Sequence, residues 1–252
     1  MMRRRLPLLS LLLLALGWLW PGGAARAQDL VARLSVERVE LSTTFAGASV
    51  LVFGASERFL GPGGAEVIVV TRGPVVPQVV RQKVRILGMW FNGPAARFPD
   101  VPAFYAVAGT LPAWRLLPEP LRERYGIGLD QLPLRSTGAR GPAFRAALLR
   151  LKQQQGLWQE DIAPVAISGG RLFHLEMPLP SSIPEGLYRV EVLLVDEGRV
   201  IAQETLSFEV QQVGTAAAIA AVSRDQPLLY GVICVLLAIL AGWLGSVIFR
   251  RS

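Results

Sequence analysis

The sequence lacks the side chains from which most metal sites and nucleophilic active sites are built. Its 252 residues include one cysteine, Cys234, and one histidine, His174. Because Cys234 lies in an apolar run near the C-terminus, the rest of the chain has no thiol for a disulfide, a metal cluster or a cysteine nucleophile. His174 has apolar neighbours, which favours an ordinary strand residue, and no Gly-x-Ser-x-Gly elbow supports a serine triad. We therefore expect no metal, no cofactor and no catalytic residues.

A shortage of acidic residues gives the chain a formal net charge of +7, from 26 basic and 19 acidic side chains. Six of the basic residues lie in the two terminal segments, namely Arg3, Arg4, Arg5, Arg26, Arg250 and Arg251. The other 20 basic residues nearly balance the 19 acidic ones, and we interpret them as evenly spread. Nucleic-acid-binding proteins carry a basic patch or stripe, so we expect no nucleic-acid partner.

Long hydrophobic runs are few, and the first of them indicates export. Three arginines precede the apolar run Leu6–Trp20, and Ala25-Arg26-Ala27 offers an A-x-A cleavage site. The run has about 15 residues, whereas a membrane span needs about 20. Residues 1–27 therefore predict a cleavable signal peptide, with an uncleaved anchor as the alternative.

The second run, Leu228–Phe249, predicts a transmembrane helix. Its length of about 22 residues crosses a hydrocarbon core of about 30 Å. Arg250 and Arg251 follow it directly, so the positive-inside rule places the tail, residues 250–252, in the cytoplasm. With the export signal, this predicts a single-pass protein of the inner (cytoplasmic) membrane whose bulk lies in the periplasm. Residues 213–227 would link that bulk to the bilayer.

The exported segment, residues 28–212, has the pattern of an antiparallel β-sheet protein. Short alternating or β-branched runs are separated by Gly/Pro turn signals. These runs are Arg33–Val39, Ala48–Phe53, Glu66–Val70, Val79–Trp90, Arg171–Met177 and a final hairpin around Asp196-Glu197-Gly198. The hairpin contains Gly186-Leu-Tyr-Arg-Val190, a run similar to the closing strands of immunoglobulin-like sandwiches. We therefore expect a mainly β fold, an immunoglobulin-like antiparallel β-sandwich.

Residues 115–160 change to a helical period and predict a small helical insertion in the sandwich. The candidate helices are Leu117–Tyr125 and Pro142–Gln155, which Gly126 and Gly156 would end. In the second helix we expect an apolar face on the sheet and a basic face in water. The apolar face holds Phe144, Ala147, Leu148 and Leu151, and the basic face holds Arg145, Arg150 and Lys152. A helix lying on a membrane is the alternative.

Two groups of residues are candidates for binding a partner. The first is an aromatic, proline-interrupted segment between Gly88 and Thr110, which would form either a partner surface or part of the core. Its members are Trp90, Phe91, Phe98, Phe104 and Tyr105. The second is a face of small side chains on the transmembrane helix, where another helix could approach closely. Its members are Gly231, Cys234, Ala238, Gly242 and Gly245.

Several segments together resemble the alphaproteobacterial transmembrane protein family Alph_Pro_TM. They extend over nearly the whole mature chain and include Arg33-Leu-Ser-Val, Val67-Ile-Val-Val-Thr-Arg-Gly-Pro, Met89-Trp-Phe-Asn and Leu229-Tyr-Gly. The resemblance implies no known activity and supplies no catalytic residues. Because such proteins are often encoded beside sulfite-exporter-like permeases, it implies a permease as a membrane partner.

These observations favour a non-enzymatic, membrane-anchored periplasmic accessory or binding protein. Its expected partners are the lipid bilayer and an integral membrane protein such as a transporter. One alternative is an envelope hydrolase acting through two carboxylates at a defined separation. The other is a stand-alone sugar- or peptide-binding sandwich, which a concave aromatic pocket would favour.

Overall fold

The computed structural model describes residues 29–42, 45–139, 141–160, 163–214 and 223–249. The predicted signal peptide (1–27), the predicted tail (250–252) and residues 215–222 of the predicted linker lie outside these residues. The described strands are β1 (Leu30–Leu34), β2 (Arg38–Leu41), β3 (Ala48–Ser56), β4 (Glu66–Arg72), β5 (Val75–Ile86), β6 (Met89–Pro102), β7 (Tyr105–Gly109), β8 (Thr137–Gly138), β9 (Trp158–Glu160), β10 (Ala166–Ser168), β11 (Leu172–Leu179), β12 (Gly186–Asp196) and β13 (Arg199–Gln212). The helices are α1 (Ala113–Leu116), α2 (Glu119–Tyr125), α3 (Pro142–Gln154) and α4 (Pro227–Phe249).

The first sheet has the order β1-β3-β11-β10, and each neighbouring pair is antiparallel. Its strands follow the alternation in the sequence. On β11, Phe173, Leu175 and Met177 are buried, while His174 and Glu176 face water. One face of this sheet therefore lies on the core and the other is solvated, as is common in antiparallel sheets.

The second sheet has the order β2-β13-β12-β4-β7-β9. Its centre is the predicted final hairpin, in which β12 pairs with β13 from Gly186↔Val210 to Asp196↔Arg199. β4 continues the sheet on the other side of β12 and is buried from Val67 to Thr71. Two short edge strands run parallel to their neighbours, β2 beside β13 and β9 beside β7.

The two sheets pack face to face as an immunoglobulin-like sandwich. Thr71 on one sheet donates a hydrogen bond from Oγ1 to the sulfur of Met177 on the other, at 3.1 Å. In immunoglobulin notation the first sheet is A-B-E-D, and β2-β13-β12-β4-β7 is A′-G-F-C-C′. The mainly antiparallel β fold predicted from the sequence is confirmed.

Tyr188 explains why the Gly-x-Tyr-x-Val run belongs to this fold. Its ring is fully buried and stacks on Phe208, with 5.0 Å between ring centroids. Its hydroxyl donates to the carbonyl oxygen of Pro184 at 2.6 Å, four residues upstream. This is the geometry of the tyrosine corner of immunoglobulin-like sandwiches, which fixes the chain where it begins the F strand.

A long two-stranded ribbon, β5 with β6, extends the C–C′ hairpin and corrects one sequence prediction. Val79–Trp90 is not a single strand, because the chain reverses at Leu87 and Gly88, both with positive φ, +50° and +83°. Such a two-residue turn matches the twist of a hairpin. After the turn, the proline-interrupted segment forms β6, which extends from Met89 to Pro102. β6 accommodates Pro94 and Pro99 because both fall at irregularities in its register with β5.

The helical insertion is present, with two corrections. The predicted helix Leu117–Tyr125 is present as α2 and ends at Gly126 as expected, but it begins two residues later, at Glu119. Leu117 is extended (φ −130°, ψ 136°), because a residue before proline disfavours the helical conformation. The face that α3 buries is also rotated from the prediction. Lys152 is buried and Leu151 is 49% exposed, while Arg145 donates to the carbonyl oxygens of Leu129, Asp130 and Leu132.

Candidate functional site

The most exposed apolar group of the sandwich domain lies at the end of the β5–β6 ribbon. We call it the ribbon tip and define it as Val84, Ile86, Leu87, Met89, Trp90 and Phe91. Leu87 is 94% exposed and Trp90 is 66% exposed. Large apolar side chains grouped in this way on a surface mark an interaction site more often than scattered ones do.

The pairing of β5 with β6 divides the ribbon tip into two faces. Val84 lies opposite Phe91 and Ile86 lies opposite Met89, so these four side chains share one apolar face. On the other face, Trp90 lies opposite Arg85, and Lys83 donates from Nζ to Oδ1 of Asn92 at 2.7 Å. The tip is therefore apolar on one side and mixed cationic and aromatic on the other.

The structure separates the five aromatic residues that the sequence grouped as a candidate partner surface. Trp90 and Phe91 are exposed at the ribbon tip. Phe98, Phe104 and Tyr105 are at most 2% exposed and belong to the core. These three aromatics stabilise the fold and are not accessible to a partner, which agrees with the core alternative for them.

Tyr105 holds a loop at the edge of the second sheet. Its hydroxyl donates to the carbonyl oxygen of Gly126 and accepts the backbone N–H of Gly128, both at 2.8 Å. Burial raises the pKa of this hydroxyl well above its ordinary value. Arg72 supports the same loop by donating to the carbonyl oxygens of Tyr125 and Gly126 while it pairs with Glu191 at 2.6 Å. Tyr105 is thus a structural residue.

This loop borders a polar cavity of about 260 Å³ at the edge of the sandwich. Its lining is formed by Val107, Ala113, Trp114, Arg122, Gly128, Asp130 and Glu160. Trp114 is the one aromatic residue among these, and the guanidinium of Arg115 lies over its ring at 4.9 Å. The cavity could admit a small polar molecule. It does not form a concave aromatic surface.

The two carboxylates of the cavity are engaged in holding local structure. Glu160 accepts the backbone N–H of Leu129. Asp130 pairs with Arg122 at 3.3 Å and accepts from the side chain of Gln131. Nε of Arg122 is buried without a hydrogen-bond partner among the described residues. Sequence reasoning did not find this cluster, because its members come from α2, the following loop and β9.

His174 and α4 complete the set of sequence candidates. His174 is exposed on β11, and the described residues contain no group of three or more His, Cys, Asp or Glu side chains suited to a metal ion. α4 is the one described helix long and apolar enough to cross a membrane, and its span Pro227–Leu244 is not buried against the rest of the chain. At about 100° per residue, Gly231, Cys234, Ala238, Gly242 and Gly245 fall within an arc of about 80° on this helix.

A signal for the ribbon tip was present in the sequence. From Val75 to Pro99 the chain contains Arg81, Lys83, Arg85 and Arg97 and no acidic residue. The charges of residues 28–212 are therefore not evenly spread, although their nearly balanced total indicated an even distribution. An acid-free basic stretch with Met89-Trp-Phe at its centre indicates a surface of its own.

Comparisons with known proteins address the family of the chain. None of the curated proteins compared with this chain matches it. A family model, in contrast, matches residues 29–251, which include both the sandwich and α4. The resemblance noted in the sequence is confirmed, and the chain belongs to the family described as Putative transmembrane protein (Alph_Pro_TM).

Proposed function

We propose that this protein is a non-enzymatic accessory protein, anchored in the inner membrane by α4, that associates with an integral membrane protein such as a permease. The observation that carries the proposal is the small-residue arc of α4. Ideal Cβ atoms at Gly231 and Gly242 would meet nothing within 4 Å, and Cys234 is exposed. In a bilayer, helices associate where small side chains let their backbones approach closely. An uncovered arc of this kind suits a second helix.

The orientation that goes with this proposal has the sandwich in the periplasm. Arg250 and Arg251 follow α4 directly, whereas Arg224 and Asp225 cancel before it. A basic flank favours the cytoplasmic side. The predicted export signal at the other end of the chain gives the same orientation.

The alternatives have weaker support in the geometry. A hydrolase would need carboxylates free to act on a substrate, whereas Asp130 and Glu160 hold Arg122 and the backbone of Leu129. A sugar-binding sandwich would need an open aromatic platform, whereas Arg115 lies over the ring of Trp114. An accessory role needs neither feature.

Enlarging the small-residue arc tests the proposal. In the double variant Ala238→Leu/Gly242→Leu, two added side chains should prevent close helix packing and reduce recovery of the membrane partner about tenfold. This corresponds to a loss of about 1–2 kcal/mol of helix association. The measurement is quantitative mass spectrometry of proteins that co-purify with the tagged full chain from native membranes.

The matched control adds bulk to the opposite side of the same helix. Leu236 and Leu240 lie about 120–180° from the centre of the arc, so Leu236→Phe/Leu240→Phe should leave co-purification unchanged. Equal recovery of the partner with both double variants would contradict the proposal. An equal loss with both would contradict it as well, because the effect would then not depend on the arc.

A further inference from the structure

We infer that the ribbon tip inserts into the interfacial layer of the bilayer in which α4 is anchored, so that the sandwich contacts the membrane at two points. The inference rests on α4 as the anchor and does not require the protein partner proposed above. Its chemical partner is a lipid surface with anionic headgroups. Four observations support it: exposure, charge, direction and reach.

The exposed side chains of the ribbon tip are of the types that bind to a lipid interface. The side chains of Ile86, Leu87, Met89 and Phe91 are between 43% and 94% exposed at the end of the β5–β6 ribbon, beyond the short stretch where β8 pairs with β6. They would enter the boundary between headgroups and acyl chains, where apolar surface leaves water. Trp90 faces the opposite way beside Arg85, and tryptophan is enriched at the level of the headgroups.

Positive charge lies directly behind the apolar residues. Arg81, Lys83 and Arg85 precede the turn on β5, Arg97 follows it on β6, and no acidic residue occurs between Val75 and Pro99. A basic side chain near an anionic leaflet contributes about 1 kcal/mol of attraction. A bilayer has the complementary arrangement. Its anionic headgroups would contact the basic residues, and its acyl chains would contact the apolar residues at the tip.

The ribbon leaves the sandwich at the end from which the chain continues to α4. β4 and β7 pair up to Arg72↔Tyr105, and the pairing continues into the ribbon at Val75↔Pro102. At the base of the ribbon, the ring of Pro74 packs close to Gly186. A Cβ atom added to Gly186 would lie 2.9 Å from this ring. Gly186 in turn pairs with Val210, two residues before β13 ends.

The ribbon is also long enough to reach the bilayer. From Arg72 to Leu87 the chain advances roughly 15 residues, at most about 50 Å at about 3.3 Å per residue. Residues 213–226, roughly 14 in number, can span at most about 50 Å between β13 and α4. The ribbon and residues 213–226 therefore have similar maximum lengths. Both can extend from the same end of the sandwich to the membrane surface.

Depth-dependent fluorescence of the full chain in lipid vesicles tests the inference. In a Cys234→Ser background, an environment-sensitive probe is attached to the cysteine of the Leu87→Cys variant, and the matched control carries it in Gln203→Cys, exposed on β13. In vesicles containing phosphatidylglycerol, lipid-borne quenchers should quench the probe at position 87 at least about twofold more than at position 203. Added Arg81→Gln/Lys83→Gln/Arg85→Gln substitutions should reduce this difference.

Two results would overturn the inference. One is equal quenching by aqueous iodide at positions 87 and 203 in vesicles, since lipid would shield an inserted probe at position 87 from iodide. The other is shielding in native membranes but not in pure lipid vesicles, which would assign the tip to a protein partner. Because these vesicles contain no partner, failure here is distinct from failure of the α4 proposal. Thermal unfolding of each labelled variant confirms that the sandwich remains folded.

Discussion

Single side chains whose polar atoms are used inside the sandwich determine much of its local structure. Tyr105 and Tyr188 are both completely buried, and each directs its hydroxyl to backbone groups of a neighbouring loop. A buried hydroxyl without a partner costs about 1–3 kcal/mol, so each tyrosine fixes the position of the loop that it contacts. The sequence marked Tyr188 as part of the Gly186–Val190 run and Tyr105 as a member of the aromatic segment, but it did not predict either hydrogen bond.

Removal of the Tyr188 hydroxyl should destabilise the domain measurably. In Tyr188→Phe the ring stays stacked on Phe208, but the carbonyl oxygen of Pro184 loses its donor at 2.6 Å. We expect the free energy of unfolding to fall by about 1–2 kcal/mol, measured by denaturant unfolding of the full chain in detergent. Tyr125→Phe is the control, since Tyr125 is only half-buried. A loss of equal size in both variants would show that the Pro184 hydrogen bond is not the cause.

For single residues, the sequence indicates chemical character better than it predicts whether a side chain lies in the core or on a surface. The apolar character of Phe98, Phe104 and Tyr105 indicated either core or partner surface, and periodicity could not decide between them. The decision depends on distant strands, because burial of Tyr105 requires β4 on one side and β9 on the other. The cavity residues Arg122, Asp130 and Glu160 were unpredictable for the same reason, since only the folded chain brings them together.

Among the elements, strands were predicted more reliably than turns and helix faces. β11 and the β12–β13 hairpin follow period-2 patterns whose buried face needs no other information. The β5–β6 ribbon was missed because alternation continues through the turn, and Leu87-Gly88 is not one of the usual hairpin dipeptides. The face of α3 was misjudged because the long stem of Lys152 can cover apolar surface as a leucine would.

The rotated face of α3 leads to a paired prediction. Leu148 is 2% exposed, whereas Leu151, three residues later on the same helix, is 49% exposed. Leu148→Ala should lower the free energy of unfolding by about 2–4 kcal/mol through loss of buried volume, and Leu151→Ala should change it by less than about 1 kcal/mol. Denaturant unfolding of the two full-length variants measures both values. A loss in Leu151→Ala as large as that in Leu148→Ala would restore the helix face expected from the sequence, which contained both leucines.

For the whole molecule, composition and hydropathy predicted the architecture, whereas they did not predict the residues of any single site. The immunoglobulin-like sandwich followed by one apolar helix was foreseeable, because strand alternation and a long uncharged run are properties of segments. The length of the ribbon and its exit beside β13 were not foreseeable, because they depend on which strands pair.

The proposed orientation can be tested with reporter fusions at two positions. A phosphatase that folds only in the periplasm should be active when fused after Gly214 and inactive when fused after Ser252, because the basic flank of α4 favours the cytoplasm. Green fluorescent protein, which fluoresces only in the cytoplasm in this assay, should give the opposite pattern. Phosphatase activity in the Ser252 fusion together with fluorescence in the Gly214 fusion would reverse the assigned sides.

The parallel pairing of β2 with β13 has a mechanical consequence. Val213 donates to Leu41 and Glu209 donates to Glu37 along this pair, while β12 holds the other edge of β13 over nearly its whole length. Tension that draws the sandwich away from the bilayer would enter at the end of β13 and act along the strand, perpendicular to these hydrogen bonds. The hydrogen bonds of β13 would therefore share the load in shear. β13, the last strand before α4, is thus held on both edges at the place where a pull on the membrane anchor would enter the sandwich.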